Sequence, residues 1–126
     1  MNTIDLRIGN HVIADGKVVK ICAIMPLKIG YRTNPSHIGY RYLSDCHPIM
    51  LTDELLERLG FILIGDRFVK SVTLPDFIYI EKINMVEYQL CTNTLNYRMK
   101  KKIEYLHELE TYYRLFTNTE LKINEL

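Results

Sequence analysis

Apolar and polar positions alternate at a period of two in the opening segment of this chain, strand-like runs return from Phe61, and a helical period governs a short middle segment and the end. In Leu6–Ala14 the even positions Leu6, Ile8, Val12 and Ala14 are apolar, interrupted by Asn10. The odd positions Arg7, Gly9 and His11 are not, with Ile13 the exception. Asp15-Gly16 follows, a pair suited to the two positive φ angles of a type I′ hairpin loop. With those two residues as the loop, Ala14 faces Lys17 and Val12 faces Val19. That register gathers Ile8, Val12, Val19, Ile21 and Ala23 on one face and leaves His11, Lys20 and Cys22 on the other. A slip of one residue would set Val12 against Val18 or Lys20 and break the match. The pattern therefore predicts a β-hairpin over Asp5–Ile24.

Beyond Met25-Pro26 the stretch through Gly30, Asn34-Pro35 and Ser36 reads as loop by composition. Ile38–Leu43 reads as a third strand, with Ile38, Tyr40 and Tyr42 on one face. Asp45–Pro48 is a connector. Thr52, followed by Asp53 and Glu54, is an N-cap with acidic residues at the positive end of a short helix. Leu55, Leu56 and Leu59 form its buried stripe, and Gly60 is its stop. Phe61–Ile64 and Phe68–Thr73 then predict strands around a Gly65-Asp66 type II′ turn. Leu74-Pro75-Asp76 breaks the run. Phe77–Glu81 and Val86–Cys91 predict two more strands around Lys82–Asn84. Ile103, Leu106, Leu109, Tyr113 and Phe116 recur at three and four, the spacing of one helix face. Asn118 suits the left-handed position after that helix, with Leu121 folding back on it.

The whole predicts an α+β fold: an N-terminal antiparallel, SH3-like β-hairpin with a third strand, a short helix, antiparallel strands and a C-terminal amphipathic helix. A length of 126 residues fits one domain, residues 1–126. The Asp45–Pro48 connector would separate a β-rich lobe, residues 1–47, from a helix–sheet–helix lobe, residues 48–126. Each lobe is small for independent folding, which favours one cooperative unit.

Sixteen Lys and Arg against fifteen Asp and Glu give a net charge of +1, which offers no general attraction to phosphate backbones or anionic membranes. Met1–Asn10 lacks the order of a signal peptide, and no run of about 18 apolar residues predicts a membrane helix. Three widely spaced cysteines, Cys22, Cys46 and Cys91, make neither a disulfide framework nor a Cys-x-x-Cys pair, so reduced thiols in the cytoplasm are expected. Nine Tyr with no Trp suit half-buried positions and contact surfaces, and equally a solvated, twisted sheet.

Three collinear stretches carry a resemblance: Leu6-Arg7-Ile8-Gly9-Asn10-His11-Val12; Pro48 through Leu56 with Gly60-Phe61; and Tyr105-Leu106-His107-Glu108-Leu109 through Tyr113, Thr117, Glu120 and Leu121. Together they resemble a family of small uncharacterised proteins common in Bacteroides-type gut bacteria, their phages and mobile elements. Asn118 stands where the family pattern expects glycine, and Tyr112 and Arg114 replace more apolar residues. The resemblance implies a single intracellular domain and brings no activity, cofactor or catalytic residue with it.

Candidate chemistry is sparse. Asp45-Cys46-His47 has the residue types of an activated thiol, but neighbours in an extended chain point apart, so a capped connector is the structural alternative. Cys22, Cys46, Cys91, His11, His37, His47 and His107 include no zinc-ribbon or His-Glu-x-x-His spacing. Arg98, Lys100, Lys101 and Lys102, with Tyr97 and Tyr105 nearby, form the one basic and aromatic run, read as the start of the last helix. His107 falls at the border of that helix's buried stripe. The expectation is a non-enzymatic binding or adaptor module of a bacterial or mobile-element system. Its partner would be a protein or nucleic acid, met through a tyrosine-rich sheet or through Tyr97, Arg98, Lys100–Lys102, Tyr105 and His107 at the last helix. No cofactor, metal or membrane contact is expected. The alternative is a small enzyme or ligand-binding domain with a pocket between the lobes. Self-pairing through the edge of Ile38–Leu43 would make it a homo-oligomer.

Overall fold

The computed structural model describes residues 6–73, 76–85, 87–94 and 97–123, with side chains described outside 71–77 and 93–99. The expectations placed on Asp5, Leu74, Pro75 and Val86 lie outside the described residues. The chain is a mixed, strand-rich α+β protein with two antiparallel five-stranded sheets and a C-terminal helix. It forms two compact units, the first comprising the chain up to Ile49 with Tyr105–Tyr112, the second Met50–Glu104 with the chain from Tyr113.

The first unit contains β1 (His11–Ala14), β2 (Lys17–Ile24), β3 (Lys28–Asn34), β4 (His37–Tyr42) and the two-residue β5 (Cys46–His47), in the order β4-β3-β2-β1-β5. Asp15 at φ 54° and Gly16 at φ 72° close the β1–β2 loop. Val12 accordingly faces Val19, and Ala14 faces Lys17. Leu6, Val12, Ala14, Val19, Ile21, Ile29, Tyr31, Leu43 and Cys46 make the buried cluster of this unit.

Three expectations change here. Residues 28–34 are strand β3 rather than loop: Ile29 and Tyr31 are buried while Arg32 is exposed, an alternation that the flanking Pro and Gly residues masked in the sequence. Ile8 is not core but 58% exposed, because the chain turns at Ile8-Gly9 (Gly9 φ 98°) and β1 begins only at His11. The buried position goes to Asn10, whose Oδ1 accepts the Arg7 N–H at 2.7 Å. Ala23 is only half-buried, since the β2–β3 register shifts between Ile21 and Ala23.

The second unit begins with α1 (Asp53–Arg58), and both its ends are written locally. The Thr52 hydroxyl accepts the Leu55 N–H at 3.0 Å. Gly60, at φ 93°, donates to Glu57 O, and Phe61 donates to Leu56 O, each at 3.1 Å. This is a Schellman stop with Leu56 and Phe61 both buried beside it. Strands β6 (Ile62–Ile64), β7 (Arg67–Thr73), β8 (Asp76–Lys82), β9 (Tyr88–Thr94) and β10 (Tyr97–Ile103) follow as a meander in the order β10-β9-β8-β7-β6. Phe68, Ile78, Ile80, Tyr88, Leu90 and Ile103 are buried. Gly65, at φ 65°, opens the β6–β7 turn.

The helix α2 (Leu106–Thr117) is shorter than expected at its start. Tyr97–Ile103 pairs residue by residue with β9, so the basic run belongs to a strand and not to a helix N-terminus. Four cations in a first helical turn would oppose the helix dipole; in a strand they meet no such penalty. Tyr105 N–H donates to Glu108 Oε1 at 3.1 Å, half of a capping box. Asn118 takes the left-handed position (φ 56°) past the last turn, and Leu121 is buried.

Candidate functional site: a cationic groove beside a tyrosine face

The Asp45-Cys46-His47 triplet does not assemble into a catalytic group. β5 pairs with β1 at Ala14–Cys46 and Ile13–His47, so the two side chains leave opposite faces. Cys46 is buried while Asp45 and His47 are exposed. Burial pushes the Cys46 thiol up, with Asp45 adding to the effect, and Sγ lies 3.4 Å from Tyr42 O. A thiol so held does not supply thiolate near neutral pH. Among the described residues no three His, Cys, Asp or Glu are placed to hold a metal ion.

A polar cluster ties the first turns of α2 to β1. Glu110 is buried and accepts the His11 backbone N–H at 2.8 Å through Oε1, while Oε2 lies 2.7 Å from His11 Nδ1. Beside it the buried Asn10 meets Thr111 Oγ1 at 3.4 Å, and Thr111 also donates to His107 O at 2.8 Å. Every distance is that of fixed structural bonding within one unit. His107 itself is 4% exposed and stacks on Tyr105 at 5.6 Å, which removes it from any contact surface.

The surface chemistry of this unit lies where β2 and β3 part. Their pairing begins at Ile21–Tyr31, so Lys17–Lys20 lacks a strand on that side. The opening is a groove of about 550 Å³, lined by Ile8 and Gly9 at one end, by Lys17–Cys22 along its wall, and by Tyr31 and Arg32 opposite. Lys17, Lys20 and Arg32 are exposed, and no carboxylate is among the lining residues. Asp15, in the β1–β2 loop, is bonded to Tyr31 of the groove wall and to Arg41 beyond it. Its carboxylate accepts Arg41 Nε at 2.8 Å and the Tyr31 hydroxyl, and the Arg41 bond first, then Tyr31, holds its pKa below the usual carboxylate value.

Arg32 faces Ile38 across the β3–β4 ladder, and the same face continues through Gly30–Tyr40 and Lys28–Tyr42. Tyr40 and Tyr42 are 43% and 55% exposed. The Tyr40 ring lies on bare backbone: a Cβ on Gly30 would come 3.0 Å from its Cε1. Lys28 Nζ stands 4.7 Å from the Tyr42 ring centroid. Lys28 and Arg32 therefore adjoin Tyr40 and Tyr42 on one sheet face, that of Lys20, while Lys17 reaches the groove from the Tyr31 side.

The basic run expected to bind phosphate sits in the second unit. Lys100, Lys101 and Lys102 are exposed on the edge strand β10, while the side chains of Tyr97 and Arg98 lie outside the described residues. Lys100 and Lys102 face Cys91 and Gln89, on the sheet face where Arg67 stands 4.8 Å over Tyr79. The hairpin register places Lys20 on the open face, but nothing in the sequence marks Lys17 or Arg32. Arg32 lies in the stretch whose composition predicts a loop and which the structure makes β3. Compared with known proteins, the chain matches no family model, no curated protein and no solved structure.

Proposed function

We propose that this protein is a non-enzymatic binding module that takes an extended single strand of nucleic acid along the outer face of its first unit. The observation that carries the reading is the groove with Lys17, Lys20 and Arg32 and no carboxylate, next to exposed Tyr40 and Tyr42. Cations neutralise successive phosphates while tyrosine rings accept bases by stacking, a combination that tolerates any sequence. Acidic peptide would use the cations but leave the two rings without a role. The strand order β4-β3-β2-β1-β5, with a single 3₁₀ turn at Leu43–Asp45 before β5, supports an SH3-like reading of this unit. That architecture leaves sheet faces open for ligands but does not by itself name one. An intracellular, mobile-element setting fits such a module.

The test is a fluorescence-anisotropy titration of labelled single-stranded RNA and DNA at two salt concentrations. Affinity should fall steeply with salt, and the log–log slope should shrink by about 0.7 for each phosphate contact removed in K17A, K20A and R32A. Y40A and Y42A should weaken binding with the slope unchanged. Lys100, Lys101 and Lys102→Ala tests the other cationic surface; loss there alone would move the site to β10. Equal affinity for polyglutamate, with Y40A and Y42A silent, would refute nucleic acid as the ligand.

A further inference from the structure

The two edges of the second sheet are built differently. β10 carries Lys100, Lys101 and Lys102, all exposed, and charges of this kind keep an edge from pairing with another strand. β6 carries no charge at all: Ile62, Leu63 and Ile64 are 66%, 51% and 62% exposed. Among the described residues no strand lies on the far side of β6.

The backbone of β6 is also offered outward. Ile64 and Arg67 flank the two-residue turn, so that pair is hydrogen-bonded, the next pair, Leu63–Phe68, is not, and Ile62–Val69 is again. The Leu63 N–H and C=O therefore point away from β7. Apolar side chains stand on both sides of this free pair, Ile62 and Ile64 on one face and Leu63 on the other.

We propose that β6 pairs antiparallel with β6 of a second copy of this chain, about a two-fold axis through Leu63. The sequence Ile-Leu-Ile reads the same in both directions, which is what a two-fold contact demands of its own surface. Leu63 of each copy donates its N–H to the Leu63 carbonyl of the other, Ile62 faces Ile64, and Ile64 faces Ile62. Every cross-strand pair is apolar on both faces. A shift of two residues would set Leu63 against Phe61 or Gly65, and the Phe61 N–H is already bound to Leu56 O. The contact is small, so the dimer should be weak and dissociate on dilution.

Sedimentation equilibrium of the full chain tests this from low concentration to roughly 100 µM, where mass action favours the dimer. The expected result is a monomer–dimer equilibrium that L63K abolishes and K101E leaves unchanged, with both variants keeping the wild-type circular dichroism and melting transition. If L63K fails to fold, oxidation of L63C is the second reading, since residues on the axis lie within disulfide reach of their own copies. A covalent dimer from L63C, absent from K101C, supports the pairing. A wild-type monomer throughout the range, a dimer that survives L63K, or cross-linking of K101C in place of L63C overturns it.

Discussion

Glu110 holds His11 twice, by its backbone N–H at 2.8 Å and by its imidazole Nδ1 at 2.7 Å, with the carboxylate almost wholly buried. A carboxylate can be kept dry only when donors surround it, and here His11 alone supplies two of them. Removing it strands two polar groups together. E110A is expected to lose about 2–3 kcal/mol of stability in urea, and E110Q less because one acceptor remains. In the double-mutant cycle with H11A the two losses should fail to add, and additive losses would dissolve the pair.

Gly60 sits under a double constraint. Its φ of 93° is the left-handed region, and a Cβ there would come 2.9 Å from Lys70 Nζ. That ammonium donates to Leu59 O at 2.6 Å and stands 5.8 Å from the Phe61 and Tyr113 rings. G60A should therefore cost about 1–2 kcal/mol. G65A, with φ 65° but open space around it, should cost less in the same denaturation series.

Tyr88 is buried and its hydroxyl donates to Asp53 Oδ1 at 2.7 Å. Burial, then this bond, pushes the phenol above its ordinary value, and the same bond, helped by Lys82, holds Asp53 below its own. The signs follow from the unfolded values, about 10 for tyrosine and about 4 for aspartate. Above pH 10 the unfolded chain gives up the Tyr88 proton first, so stability falls as pH rises. Asp53 contributes above pH 4, and that share is lost as acid protonates the folded carboxylate. Y88F should flatten both limbs of a stability–pH profile and lower the plateau by about 1 kcal/mol, the exposure of Asp53 limiting the loss.

Thiol chemistry should follow burial. Cys46 and Cys91 are buried, with burial raising both thiols, while Cys22 is half-exposed. Native protein treated with iodoacetamide at pH 8 should gain one label, on Cys22, and denatured protein three. Early labelling of Cys46 would contradict the packing of β5.

Legibility in the sequence tracked how local the cause was. The Asp15-Gly16 turn and the Thr52 cap act on residues within four positions, so the β1–β2 register and the limits of α1 could be read directly. β3 could not, because its alternation is diluted by Gly30 and framed by Pro26 and Pro35, and only pairing with β2 and β4 makes it a strand. The basic run misleads for a related reason: Arg98–Lys102 followed by helical spacing has the form of a helix start, while its true partner is the neighbouring strand β9. The groove was invisible beforehand. It exists because two strands diverge, and no spacing of Lys17, Lys20 and Arg32 announces that.

The division of α2 between the two units has a consequence in time. Asn10 and His11 stand at the start of the β1–β2 hairpin, and their partners Thr111 and Glu110 come 101 and 99 residues later. The hairpin can close as it leaves the ribosome, but its polar end must wait, hydrated, until the strands of the second sheet have followed. The first unit is thus begun before the second sheet and completed only after it, and a nascent chain stalled anywhere before Glu110 carries a β1 whose His11 meets water where the native protein has a buried carboxylate.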